Sequence, residues 1–338
     1  MIKYVVHRLI LMIGILFGVL TITFFLSRVL PSSPANLILG DRPTAEQIAM
    51  AEEELGLNKP LLVQYALYMG EIFRGNFGNS LRTHKPVLVE IHDRMGATIE
   101  LTSLAIVIVV LVGIPLGVLS AVRQNSWIDN LVRAGIVGGV AMPAFILAMV
   151  LQIIFYGRLN WLPIQGRLDS IMLLDVPFAQ VTGFFLIDTL LAGEWGAFKN
   201  AVSHIILPTL TLSIVTLASV ARITRNVMVE VLREEFIHTF FAYGVRRRII
   251  YYRYALKATL IPMLTVIGLT YGYLLGGTVV VEFVFDWPGL GGFLVFSIVQ
   301  NDFPAVLGTT LFLAGAYLTI NLVVDLLYYV VDPRLRKQ

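Results

Sequence analysis

Six stretches of this chain are each long and apolar enough to cross a lipid bilayer: roughly residues 9–29, 98–122, 132–157, 202–224, 260–283 and 305–331. A spanning helix needs about 20 mostly apolar residues, because each residue rises ~1.5 Å through a core ~30 Å thick. Inside lipid every backbone N–H and C=O must find its partner within the chain, and a run of this length does so as a helix. The expected fold class is therefore all-α: a polytopic membrane protein with six transmembrane helices. Composition agrees, at 57% hydrophobic and only 14% charged, where a soluble domain is about one quarter charged. A seventh apolar stretch, 171–192, carries Asp175, Pro177 and Asp188 and reads as an interfacial or folded loop segment.

Basic residues set the expected orientation. Lys3 and Arg8, then Arg123 and Arg133, then eight Lys and Arg between Arg222 and Lys257, then Arg334, Arg336 and Lys337 fall on alternate connections. Residues 284–304 have Asp286 and Asp302 and no Lys or Arg. The positive-inside rule puts the basic set in the cytoplasm, so both termini are expected inside (N-in/C-in). The pI of 9.1 then reflects topology, and nucleic acid is not an expected partner. The long connection 30–97 is mixed in charge and says little about topology. Residues 1–35 could be read as a signal peptide with a poor cleavage site at Ser33-Pro34-Ala35. The apolar run exceeds an h-region of about 7–15 residues, so a retained span is the expectation.

Several function classes lack their residues. There is no GxxxxGK[ST] and no Gly-Lys pair, so no P-loop for ATP. HExxH and GxSxG are absent, the five His show no ligand spacing, and there is no Cys. Neither a catalytic residue nor a metal site is expected, and the chain reads as a non-enzyme. Glu100, Arg222 and Glu282 near span ends read as interfacial. Asp325, deeper in the last stretch, reads as an anchoring or capping acid.

The basic segment 222–262 is too regular for a disordered loop. Leu232, Phe236 and Phe240 recur every four residues and share one helical face. Gly244 follows Ala242-Tyr243, as expected of a left-handed helix stop. A second helical run is expected from about Arg246 to Thr259, leading through Pro262 into the fifth span. Arg246, Arg247 and Arg248 suit anionic lipid. The crowding of Phe240, Phe241 and Tyr243 at the tip suits a protein groove better.

The stretch REEFIHTFFAYGVRRRIIYYRYALKATLIP resembles the EAA loop of ABC-transporter permeases, in the dipeptide/oligopeptide/nickel importer branch. GNFGNSLRTHKPV (75–87), GIPLGVLSAVRQNSWIDNLVR (113–133), VVVEFVFDWPGLGGFL (279–294) and NLVVDLLYYVVDPRLR (321–336) resemble further family segments, in family order. The resemblance implies a MetI-like permease fold, with residues 1–97 as a first helix plus long outer loop and 98–338 as the core. It implies that Glu234, Glu235, His238, Thr239, Phe240, Phe241, Ala242, Tyr243, Gly244 and Pro262 couple to a separate ATPase subunit. The superfamily's Glu-Ala-Ala falls here on His238, Thr239 and Phe240, and the bulky Phe240 and Tyr243 make the surface more aromatic than the family pattern.

The partners so implied are a second homologous permease, one or two ATPase subunits that carry ATP and Mg, an extracytoplasmic solute-binding protein, and membrane lipid. The resemblance implies no cofactor on this chain. Peptides are the implied substrate, with oligosaccharides or nickel as alternatives. Gly268, Gly272 and Gly276 form a GxxxGxxxG run expected, with Thr270, Tyr271 and Tyr273, to meet a second subunit or line the pathway; packing within the subunit is the alternative. The run from Gly113 to Gly117 reads as internal packing. Glu282, Trp287, Pro288 and Gly289 are expected at the outer mouth, or in a plain helix-connecting turn. A secondary transporter or channel would show inverted repeats or intramembrane charges, an intramembrane enzyme a catalytic constellation, and a scaffold would not need the glycines.

Overall fold

Prolines decide where the apolar stretches bend. The structure is a computed structural model that describes residues 2–29, 58–169, 172 and 181–331. Among the described residues no strand forms beyond an isolated bridge between Asn79 and Pro86. Five helices are unbroken candidates for membrane spans: Val5–Leu26, Val87–Val122, Trp195–Val231, Pro262–Val284 and Phe303–Leu327. The sixth expected span, 132–157, is not one straight helix. Trp127–Gly139 and Ala144–Arg158 meet at a bend of 101°. Pro143 explains the break: it lacks an N–H and pushes Met142 out of the helical region, to φ −94° and ψ 120°.

The described residues fall into two compact units, where the sequence reading drew its line at 97/98 and kept 289–316 with the core. The first unit takes Met1–Gly96 and Gly289–Ala316. Here α1 (Ile2–Val29) packs on α2 (Leu61–Phe73). Phe24 stacks on Tyr68 with ring centroids 5.5 Å apart, and the Tyr65 hydroxyl shares a 2.7 Å hydrogen bond with Thr21. The segment 284–304, read as a plain loop, contains α10 (Leu290–Val299). Buried Ser80 donates to buried Asp302, whose other oxygen accepts from Ala305 N and so caps the last helix. A Cβ on Gly308 would lie 2.6 Å from the Val87 side chain, so the glycine leaves the room that valine fills.

The second unit takes Ala97–Pro288 and Tyr317–Gln338. Its axis is α7 (Trp195–Val231), 37 residues long. At ~1.5 Å per residue it reaches about 55 Å, well beyond a ~30 Å hydrocarbon core. Three of its buried hydroxyls are satisfied on the preceding turn: Thr211, Thr216 and Thr224 donate to the carbonyls of Leu207, Leu212 and Val220. On one side lies α3 (Val87–Val122), which has a π turn at Val109–Gly113 just before Pro115. Proline removes a helical donor there, and the wider turn absorbs the mismatch. A Cβ on Gly117 would fall 2.6 Å from Ala221 O, so the Gly113–Gly117 run is internal packing, as read. The broken span supplies α4 (Trp127–Ala141) and α5 (Ala144–Arg158). The described part of 171–192 is folded: α6 (Phe185–Leu191) is preceded by a turn in which buried Asp188 accepts from Thr182 N, Thr182 Oγ1 and Gly183 N. Asp175, Pro177, Ser33–Ala35 and the tail residues Arg334, Arg336 and Lys337 lie outside the described residues.

Candidate functional site

The basic segment folds as a helical hairpin. Arg222 to Val231 belong to α7 rather than to a loop. Leu232 and Arg233 turn the chain, Glu234 stands extended at φ −68° and ψ 145°, and α8 runs Glu235–Ala242. Gly244 adopts φ +73°. Val245 N donates to Phe240 O and Gly244 N to Phe241 O, each at 3.0 Å. That pair is the Schellman stop, and Val245 and Phe240 both pack against one buried cluster. The anchor is Ile237, fully buried in one cluster with Met228, Ile250 and Met263; of the expected Leu232, Phe236 and Phe240 stripe, Leu232 and Phe240 pack against that cluster and Phe236 is exposed. Phe240 stacks on Tyr254 at 4.2 Å. Glu234, Glu235, His238, Thr239, Phe241, Ala242, Tyr243 and Gly244 remain exposed, with Tyr243 at 82%.

From Arg247 the chain is helical without interruption into the span. A turn at Arg247–Ile249 and a π turn at Ile250–Ala255 lead into α9 (Leu256–Val284), with Pro262 inside it. Gly268 and Gly272 face the chain's own last helix, α11 (Phe303–Val331): a Cβ on Gly268 would overlap Val324, and one on Gly272 would lie 3.0 Å from the Tyr317 ring. The intrachain packing reading therefore describes those two. A Cβ on Gly276 would meet no neighbouring element within 4 Å. Tyr271 turns inward, its hydroxyl 3.0 Å from Ser103 on α3. Thr270 and Tyr273 line an open groove of about 520 Å³ with Thr216 and Ser219 of α7. Its apolar lining includes Ile223 and Leu269, and among the described residues no charged side chain lines it.

At the far end of α9 the expected mouth residues divide. Glu282 and Trp287 are buried, at 0% and 2%. Glu282 accepts from Thr98 at 2.8 Å, and Trp287 Nε1 donates to Ala97 O at 3.0 Å. They brace the chain internally, which corrects the interfacial reading of Glu282. Pro288 is exposed, Asp286 takes φ +45°, and Gly289 is the N-cap of α10. Glu100 is likewise buried, paired with Arg167. Arg167 also donates to Gly183 O and lies 3.7 Å over the Phe185 ring. Burial pulls the Arg167 guanidinium below its ordinary range, and Glu100 opposes that shift.

Residues 113–337 match the model of the binding-protein-dependent transport system inner membrane component, and residues 1–102 match the model of its N-terminal part. The chain belongs to this family. It is 41% identical over 336 residues to the dipeptide transport system permease protein of Alkalihalophilus pseudofirmus, covering 99% of this chain and 100% of that one. It is 46% identical over 318 residues to the probable D,D-dipeptide transport system permease protein of Escherichia coli, covering 94% and 93%. It is 38% identical to the dipeptide transport system permease protein of Escherichia coli over 99% of both chains. The protein is thus a multi-pass membrane permease of an ABC importer family.

One polar centre of this permease went unread in the sequence. Asp129 is fully buried at the start of α4 and accepts from Arg225 Nε at 2.8 Å and Nη2 at 2.9 Å. It also accepts from Arg133 at 2.8 Å, Ser120 at 2.5 Å and Asn125 N at 2.9 Å. The carboxylate thus ties the turn after α3 to α7, two turns before the hairpin. A local signal exists: Ser126 caps α4 by accepting from Asp129 N at 3.3 Å, and Asp129 and Arg133 are spaced i, i+4. Arg225 lies 96 residues away and carries no such signal.

Proposed function

We propose that this permease pairs with a second, homologous permease to form the pathway of an ATP-driven importer of dipeptides and other short peptides. The observation that carries it is mechanical. The exposed surface of α8 and the hydroxyl-lined groove are joined by one helical run, from Arg247 through α9. In this reading the Glu234–Gly244 end is cytoplasmic and docks on one of one or two ATPase subunits that hold ATP and Mg. An extracytoplasmic binding protein delivers substrate to the opposite side. ATP drives the cycle because it binds one state of the assembly better than the other. The relatives' names support peptides over the oligosaccharide and nickel alternatives. A groove with hydroxyls and no charge also suits substrates that share a backbone and differ in side chain.

Gly244→Val tests this. A β-branched residue at φ +73° is strained, by about 1–2 kcal/mol for left-handed backbone. The strain shifts α8 and leaves the spans alone. In proteoliposomes holding the whole complex and its binding protein, ATP-driven dipeptide uptake should collapse while membrane insertion stays normal. Undiminished uptake would sink the coupling role.

A further inference from the structure

The exposed side of α9 changes character over two turns. Arg253, Lys257, Leu260 and Leu264 are spaced i, i+4, i+7 and i+11, so they share one helical face. All four are exposed. Lys257 lies about 4.5 Å and Arg253 about 10 Å below Leu260 along the axis. Exposed Tyr252 and Tyr254 flank Arg253, and Arg246, Arg247 and Arg248 are exposed just before them. From 236 to 281 the chain has no Asp or Glu. Among the described residues none of these five basic side chains makes an ion pair.

An exposed leucine face therefore runs, at the start of the candidate span, into an unneutralised cationic strip with tyrosines. Lys and Arg at that level lay their stems along apolar surface and reach outward with the charge, and tyrosines favour the same level. The positive-inside effect accounts for charge somewhere in this segment. It does not account for charge in register with the leucines. A protein occupant fits less well, because the strip is continuous with Leu260 and Leu264, whereas α8 offers a separate surface that includes Glu234 and Glu235. We propose that Arg253 and Lys257, backed by Arg246–Arg248, bind the headgroup of an anionic phospholipid at the foot of α9. This needs only that α9 spans a membrane, so it stands apart from the importer reading.

The test is native mass spectrometry on the full chain purified from its membrane and exposed to an equimolar mixture of phosphatidylglycerol and phosphatidylcholine. Each basic residue near an anionic headgroup gives about fivefold preference, so the wild type should favour phosphatidylglycerol by ~25-fold. R253Q/K257Q should lose that preference, K257Q alone should lose about fivefold of it, and R82Q/K85Q, elsewhere on the surface, should keep it. Both target side chains are exposed and unpaired, so the variants fold. An unchanged preference in R253Q/K257Q overturns the proposal. Displacement of the lipid by inorganic phosphate overturns it in favour of a soluble-anion site. Loss of the ATPase subunit from the R253Q/K257Q complex, with lipid preference intact, assigns the strip to a protein instead.

Discussion

Removing the Asp129 carboxylate should destabilise the permease more than any surface ion pair could. Deleting one partner of a buried pair costs about 3–5 kcal/mol, most of it from the charge left behind. Here Arg225 is 15% exposed and Arg133 47% exposed, so both freed guanidiniums gain some water. That moves the cost to the low end, and the Arg133 pair itself contributes only ~0.5 kcal/mol. The acceptors lost by Ser120 Oγ and Asn125 N, about 1 kcal/mol apiece when taken alone, are already part of that whole-carboxylate cost. Asp129→Ala should therefore cost about 3 kcal/mol, and Asp129→Asn, which keeps one acceptor oxygen, about 2. At roughly 2 °C per kcal/mol for a chain of this size, the Ala variant should lose monodisperse elution ~6 °C earlier on heating. A cycle with Arg225→Gln isolates the pair: the double variant should fall short of additivity by about 1–2 kcal/mol. Additive losses, or an Ala variant within ~0.5 kcal/mol of wild type, would refute the reasoning.

Glu100→Gln leaves Arg167 buried without its carboxylate and should cost about 3 kcal/mol or more; Glu100→Leu with Arg167→Met should recover most of it in the same thermal assay. The α9 glycines should separate by position. Gly268→Val overpacks against Val324 and should cost about 1–3 kcal/mol, whereas Gly276→Val, with open space around it, should elute and melt as wild type. Reduced uptake in the Gly276 variant would mark it as the glycine that meets a second subunit or the substrate; normal uptake would confine it to lipid.

What the sequence disclosed follows from what is local in it. Hydropathy is summed along the chain, so the apolar stretches appear as helices at the expected places. The Gly244 stop was legible because left-handed backbone has few candidate residues. The bend at Pro143 hid inside 132–157 because apolar composition runs straight through it. The continuation of α7 to Val231 hid behind Arg222, Arg225 and Glu230, whose charge reads as loop. In the fold, Arg225 is held by Asp129, which neutralises it and lets the helix run on. Which way each glycine faces is not written in a GxxxGxxxG spacing, since the partner at Val324 or Tyr317 is remote in sequence. Glu100 and Glu282 were misplaced for the same reason: Arg167 and Thr98, which bury them, lie 67 and 184 residues away.

The geometry also limits how motion at α8 could reach the groove. Between the Schellman turn and the groove, the helical run has two weakened places: the π turn at Ile250–Ala255 and Pro262, which removes a donor. Bending is cheapest there. Beyond them α9 is held against α11 at Gly268 and Gly272, where no side chain stands between the backbones and the neighbouring Val324 and Tyr317. A contact that close resists separation of the two helices but leaves small rotations about α9 cheap. Thr270 and Tyr273 point into the groove from the same level. On the coupling reading proposed above, a displacement entering through α8 would be converted, at the glycine contact, into a turn of the groove-lining face rather than a piston-like shift of the whole helix. Gly268→Val should then impair transport through the same contact that it destabilises.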